Sequence, residues 1–140
     1  MPFEGLRDYL DALEREGLFR WVDSEVDKDW EIASMSRMIF RGYAEEKRFG
    51  LGFRNIRGFP GGRVVSGVLA ASARQIAMAL ETEPEPLAIF ERITEGIDHP
   101  IEPVLVDSAP CKEVILRDED VDLLAFPVPV WTPEKDAGPY

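Results

Sequence analysis

Leu51-Gly52-Phe53-Arg54-Asn55-Ile56 and Arg63-Val64-Val65-Ser66-Gly67-Val68-Leu69 decide the fold. Both are rich in residues that suit a pleated, half-buried surface. Between them lies Arg57-Gly58-Phe59-Pro60-Gly61-Gly62, a turn with three glycines. Two strands joined by such a turn predict a β-hairpin. The second strand is the most β-like segment of the chain and is placed in the central sheet.

Upstream, Leu6, Tyr9, Leu10 and Leu13 share one helical face and Arg7, Asp8, Asp11 and Glu14 the other. This spacing predicts an amphipathic helix that Gly17 closes at a C′ position. Residues 18–22 read as a strand. Asp29 is placed as N-cap of a second helix, in which Ile32, Met35 and Ile39 repeat at helical spacing and which Gly42 ends. The charged run Glu45-Glu46-Lys47-Arg48 reads as a solvated loop.

Downstream, Ser72 caps a helix carrying Ile76, Met78, Ala79 and Leu80. A further helix, over about 85–95, is expected to bury Leu87, Phe90 and Ile93, with Ile97 beyond it. From His99 the texture changes. Residues 99–103 read as a linker, 104–106 and 113–116 as short strands, 117–120 as an acidic turn leading to 121–124. A domain boundary is expected near Pro110, dividing an amino-terminal α/β domain (1–110) from the beginning of a second unit (111–140). The fold class is mixed α+β.

Composition narrows the function classes. The chain has 140 residues, a net charge of −11, 45% hydrophobic residues, and eight Phe, three Trp and three Tyr. That is ample material for a packed core. The acidity argues against nucleic acid and anionic membranes, which need a basic face. No apolar run has the length of a membrane span, and Met1-Pro2-Phe3-Glu4-Gly5 lacks signal-peptide character. The single cysteine, Cys111, fits a reducing cytoplasm.

The last stretch, Phe126-Pro127-Val128-Pro129-Val130-Trp131-Thr132-Pro133, interleaves prolines with apolar residues. Proline fixes φ and removes a donor, so neither a helix nor a central strand runs through it. An extended, packed segment is expected, with Trp131 as an anchor for association. The chain reads as ending mid-architecture, just after the Gly138-Pro139 turn.

Catalytic constellations are scarce. His99 and Cys111 are the only residues of their kinds. A linker histidine and a small buried thiol is the plainer reading. A Cys–His nucleophilic pair, with Lys112 lowering the thiol pKa, lacks any oxyanion signature. Asp118, Glu119, Asp120 and Asp122 lack the glycine and closing glutamate of a calcium loop. The glycine turn at 58–62 precedes a strand rather than the helix that a phosphate cradle needs. Arg54, Arg57 and Arg63 around it read as ordinary surface, and Trp21, Trp30 and Trp131 as core or interface anchors.

Taken in order, the segments resemble the UbiD family of decarboxylases, of the octaprenyl-hydroxybenzoate carboxy-lyase type. The likeness is carried by Leu6-Arg7-Asp8-Tyr9-Leu10-Asp11-Ala12-Leu13-Glu14-Arg15-Glu16-Gly17, by Val26-Asp27-Lys28-Asp29-Trp30-Glu31-Ile32-Ala33, and by Phe53-Arg54-Asn55-Ile56-Arg57-Gly58-Phe59-Pro60-Gly61. Residues 65–80 follow, with Arg74. The most specific pieces are Ala109-Pro110-Cys111-Lys112-Glu113-Val114, residues 122–131, and Asp136-Ala137-Gly138-Pro139-Tyr140. Phe126, Thr132 and Ala137 stand where leucine, histidine and glycine are usual.

The resemblance implies reversible decarboxylation of aromatic or α,β-unsaturated carboxylic acids. It implies prenylated FMN as electron sink or cycloaddition partner, with a divalent metal (manganese) and often potassium. It also implies a longer polypeptide, in which a split β-barrel holding the cofactor and an oligomerisation domain follow the amino-terminal domain. On this reading 111–140 are the first strands of that barrel. The family's catalytic and metal-binding residues follow the Gly-Pro-Tyr motif. No catalytic, cofactor-binding or metal role therefore passes to a residue here, although Arg74 and Trp131 are placed as braces of the cofactor domain. The expectation is the amino-terminal portion of a cytoplasmic, homo-oligomeric carboxy-lyase, inactive alone and needing the remainder of the polypeptide. The alternative is a non-enzymatic subunit that completes a split decarboxylase in trans. A small Cys111 or His99 enzyme is the third class.

Overall fold

The computed structural model describes residues 3–139. Its elements run α1 (Leu6–Arg15), β1 (Phe19–Val22), α2 (Glu31–Gly42), β2 (Gly50–Phe53), β3 (Val64–Ser66), α3 (Ala73–Leu80) and α4 (Pro86–Asp98). The sheet has the order β1-β2-β3. β1 and β2 pair in parallel across the α2 crossover, with Phe19 opposite Gly50. β2 and β3 pair antiparallel, with Leu51 opposite Ser66, so the expected hairpin forms. It is shorter than expected: β3 ends at Ser66, because Gly67 takes φ +67 and turns the chain away. β3 is an edge strand and β2 the central one.

Strand alternation divides the core into two layers. Leu51 and Phe53 face one side, where Ile32 and Ile39 of α2 pack with Val26, Phe49 and Ile56, and Val22 and Val64 join them. Phe19 faces the other side, where Tyr9, Leu10 and Leu13 of α1 pack with Leu18; Trp21, Val65 and Met78 join there. On that second side β2 presents only Gly50 and Gly52. The absence of side chains lets the Phe19 and Trp21 rings lie across the strand, edge to face at 5.0 Å.

Local chemistry sets the element ends. α1 closes in a Schellman motif: Gly17 N–H donates to Glu14 O (3.0 Å) and Leu18 N–H to Leu13 O (2.8 Å), with Gly17 at φ +70. The second helix begins differently from expectation. Its N-cap is Trp30, not Asp29, and it runs through Gly42 to a cap at Tyr43. Glu31 Oε2 instead accepts the Asp27 N–H (2.5 Å), and Asp27 Oδ1 accepts the Asp29 N–H (2.9 Å). Those bonds tie down the loop before the helix, leaving Asp29 free for another task.

Ser72 opens α3 as expected, and Gln75, three residues on, reaches back. Its Oε1 accepts the N–H groups of Ala71 (2.9 Å) and Ser72 (3.1 Å), while its Nε2 donates to Leu18 O (2.9 Å). The Tyr9 hydroxyl is shared between Gln75 O and Val68 O, at 2.9 Å each. Loss of solvent pushes the Tyr9 phenol up to about 12. A raised pKa in the folded state means that the phenol's contribution to stability is full below its ordinary value of 10.0 and is lost as pH rises toward about 12. Thermal melts should therefore show an alkaline loss of stability across that window, blunted in Tyr9→Phe. Identical alkaline slopes in the two proteins would assign it to other groups.

Beyond α3 the expectations fail in an ordered way. α4 forms, but it buries none of its residues. Leu87, Phe90, Ile93 and Ile97 are exposed. Among the described residues no strand follows β3. The segments 104–106 and 113–116 are exposed and form no strand, and Glu113 is helical at φ −65, ψ −36; no neighbouring strand offers them a hydrogen-bond ladder. Single 3-10 turns lie at Pro110–Lys112, Asp118–Asp120 and Leu123–Ala125. The barrel strands expected within 111–140 are thus not present as strands among the described residues.

Candidate functional site

Two surfaces gather polar and aromatic side chains. The first is a strap. Residues 127–133 are half-buried and cross the α2 side of the sheet. Pro127 packs on the glycine turn, close enough that a Cβ on Gly62 would lie 3.2 Å from its Cγ. Val130 N–H donates to Asp29 Oδ1 (2.8 Å), which also takes Lys28 Nζ (2.7 Å). Desolvation raises the Asp29 pKa, but the Lys28 ammonium and the Val130 N–H outweigh it and hold the carboxyl below the usual range. Trp131 and Thr132 then lie beside Ala33, Ser36 and Arg37 of α2. Trp131, expected as an anchor for association, is half-buried against its own chain. Trp30, at the start of this surface, has φ +94, a strained conformation for a bulky residue.

The second surface is a cleft of about 620 Å³ between α1 and the sheet. Leu6, Leu10, Trp21 and Val65 form its apolar wall, and Arg7 and Arg63 bring two guanidinium groups. No carboxylate or imidazole lines it. Arg63 is the only one of the three expected surface arginines that reaches this cleft. Arg54 is paired with Asp23 and lies over the Trp21 ring at 5.4 Å. Its guanidinium holds the Asp23 carboxyl below the usual range. Arg57 is paired with Glu25 (2.9 Å) and Asp27 (3.4 Å).

The other residues singled out in the sequence stay apart. His99 follows α4 with Nδ1 3.2 Å from Glu95 O. Cys111 is exposed, not buried. No hydrogen bond joins the two among the described residues. Arg74 comes within 3.9 Å of Glu16, a loose surface pair. Among the described residues no three His, Cys, Asp or Glu side chains are grouped to hold a metal ion. No helix of the described residues is long and apolar enough to cross a membrane. Sequence reading missed Gln75 as a buried polar hub and Asp29 as the strap's anchor. The Ser-x-x-Gln spacing at 72–75 was the available signal for the first; the second had none.

Known proteins place this architecture. The profile of the 3-octaprenyl-4-hydroxybenzoate carboxy-lyase N-terminal domain matches residues 10–95. The chain belongs to the UbiD family. It is 31% identical to the pyrrole-2-carboxylic acid decarboxylase of Pseudomonas aeruginosa, over 96% of this chain and 28% of that enzyme. It is 30% identical to the gallate decarboxylase of Lactiplantibacillus plantarum, over 96% of this chain and 29% of the enzyme. Among solved structures, an evolved dimeric form of the UbiD-class enzyme HmfF from Pelotomaculum thermopropionicum, in complex with prFMN, superposes with a TM-score of 0.80 at 32% identity. It covers 98% of this chain and 30% of its own. The open form of the vanillic acid decarboxylase of Sedimentibacter hydroxybenzoicus, with truncated ShVdcD, gives a TM-score of 0.78 at 27% identity, over 94% of this chain and 28% of its own. The UbiD chain described here thus spans under a third of the relatives it matches. The mixed α/β fold with a three-stranded sheet is the one these UbiD-class neighbours share.

Proposed function

We propose that this chain is the amino-terminal portion of a UbiD-type carboxy-lyase, which reversibly decarboxylates aromatic or α,β-unsaturated carboxylic acids with prenylated FMN. The single observation that carries the reading is the family match over residues 10–95, with decarboxylases as the aligned relatives over nearly the whole chain. The domain division near Pro110, the cytoplasmic setting and a homo-oligomeric full-length form belong to the same proposal. So does the use of manganese and potassium with the cofactor.

The residues present do not fit the cofactor. The arginine-lined cleft offers two cations and one indole but no acid to transfer a proton. The buried polar groups at Gln75 and Tyr9 are already bonded to backbone. Metal ligands in a group of three are absent among the described residues. We therefore route no catalytic step through this chain. Its role in the enzyme is to supply a folded sheet-and-helix platform. The ring, phosphate and metal are gripped by sequence that the relatives carry beyond the matched region, whether in one polypeptide or in trans.

The test is retention of cofactor. The chain is incubated with prenylated FMN and manganese, desalted, and its absorbance spectrum recorded. The expected result is a protein spectrum with no flavin band. Stoichiometric retention would contradict the proposal and would move the site onto the cleft at Arg7 and Arg63.

A further inference from the structure

Helix α4 has two distinct faces. One meets α3: Arg92 Nε donates to Leu80 O (3.0 Å), and Arg92 and Gly96 line a groove with Ala79 and Leu80. The other carries Leu87, Phe90, Ile93 and Ile97, which are 67%, 66%, 45% and 72% exposed. At 100° per residue these four fall within about a third of the helix circumference. Ile101 and Leu105, just beyond, are more exposed still. Isolated exposed apolar residues need no explanation, but a contiguous stripe with this periodicity marks a face that is covered in the working assembly.

The surroundings say what kind of face covers it. From Glu81 to Glu102 the chain carries Glu81, Glu83, Glu85, Glu91, Glu95, Asp98 and Glu102 against a single arginine, Arg92. That is more than half of the net charge, on under a sixth of the chain. Two copies of this chain would bring like-charged rims together, which opposes self-association through this stripe. An anionic lipid surface is disfavoured for the same reason. A protein face with an apolar ridge and a lysine- or arginine-rich rim is complementary on both counts.

We propose that the α4 stripe is the seam on which the rest of a UbiD-class enzyme docks, through a basic-rimmed apolar face. This rests on the functional reading above. It is supported independently by the match to under a third of each relative's length, which leaves a large polypeptide to provide such a face. It also moves the association anchor from Trp131, which is engaged with α2, to Phe90 and Ile97.

The experiment uses the whole chain and, as partner, a polypeptide carrying the part of the Pseudomonas aeruginosa decarboxylase beyond the matched segment. Binding is measured by sedimentation. Phe90→Ser with Ile97→Ser removes exposed side chains, so the fold should survive; an unchanged thermal melt checks this. The double variant should bind at least about tenfold more weakly, whereas Met38→Ser, on the exposed side of α2, should stay within about twofold. Added salt should weaken wild-type binding, because opposite charges meet at the rim. Equal binding by wild type and double variant would overturn the seam while leaving the functional reading intact. No binding by wild type would overturn both. Dimerisation of the chain alone that the double variant abolishes would overturn the partner in favour of a second copy.

Discussion

Gln75→Leu is expected to remove about 3 kcal/mol of folding stability, chiefly from two buried N–H groups left unpaired at roughly 1–3 kcal/mol each. The side chain is fully buried and every polar atom on it is engaged. Leucine keeps the volume and the helix propensity but bonds to nothing. Ala71 N–H and Ser72 N–H would then be stranded in the layer between α1, β1 and α3, while Leu18 O would keep the Gly50 N–H (2.8 Å). A small domain has about 5–15 kcal/mol in total, so this loss is large. Urea unfolding should show the midpoint falling with an unchanged slope. Gln75→Glu keeps the acceptor for Ala71 and Ser72 but loses the donor to Leu18, and places a charge in the core unless it is protonated. It too should be destabilised, more so at neutral than at acid pH. A loss below about 1 kcal/mol in Gln75→Leu would mean that water enters and satisfies the two N–H groups.

Gly52→Ala is expected to cost about 3 kcal/mol by overpacking. Gly52 sits in the middle of the central strand. A Cβ there would lie 2.5 Å from Phe19 Cζ and 2.5 Å from Trp21 Cε3. Neither ring can retreat easily: Phe19 is buried in the α1 layer, and Trp21 stands between it and the Arg54 guanidinium. The same substitution at Gly96, on α4, meets nothing within 4 Å and should be neutral or mildly stabilising. Urea unfolding of both variants separates a packing effect from a general intolerance of alanine. Equal stabilities would show that the aromatic pair shifts without cost.

The first half of the fold was legible because its signals are local. Leu6, Tyr9, Leu10 and Leu13 repeat at helical spacing, Gly17 offers φ > 0 at the C′ position, and the hairpin announces itself by a glycine turn between β-rich runs. The errors have a common physical origin. The Leu87–Phe90–Ile93 pattern signals an apolar face, but periodicity carries no information about what covers it. Val104 to Val106 and Glu113 to Leu116 have β propensity, yet a strand exists only when another supplies its ladder. Asp29 carries every sign of a helix cap, but it is engaged by Val130, 101 residues away, and such a contact has no local signature. The arginine cleft was not legible in the sequence: Arg63 reads there as ordinary surface, and the lining comes from α1, β1, the glycine turn and β3, which lie far apart along the chain.

Reconstitution tests the central claim most directly. The chain, the polypeptide carrying the remaining part of the Pseudomonas aeruginosa pyrrole-2-carboxylic acid decarboxylase, and their mixture are each supplied with prenylated FMN, manganese and pyrrole-2-carboxylate. Release of carbon dioxide is then followed. The account predicts none from the chain alone and turnover from the mixture above that of the complementary polypeptide by itself. Carbon dioxide release by the chain alone, or a mixture no more active than the complementary polypeptide, would contradict it.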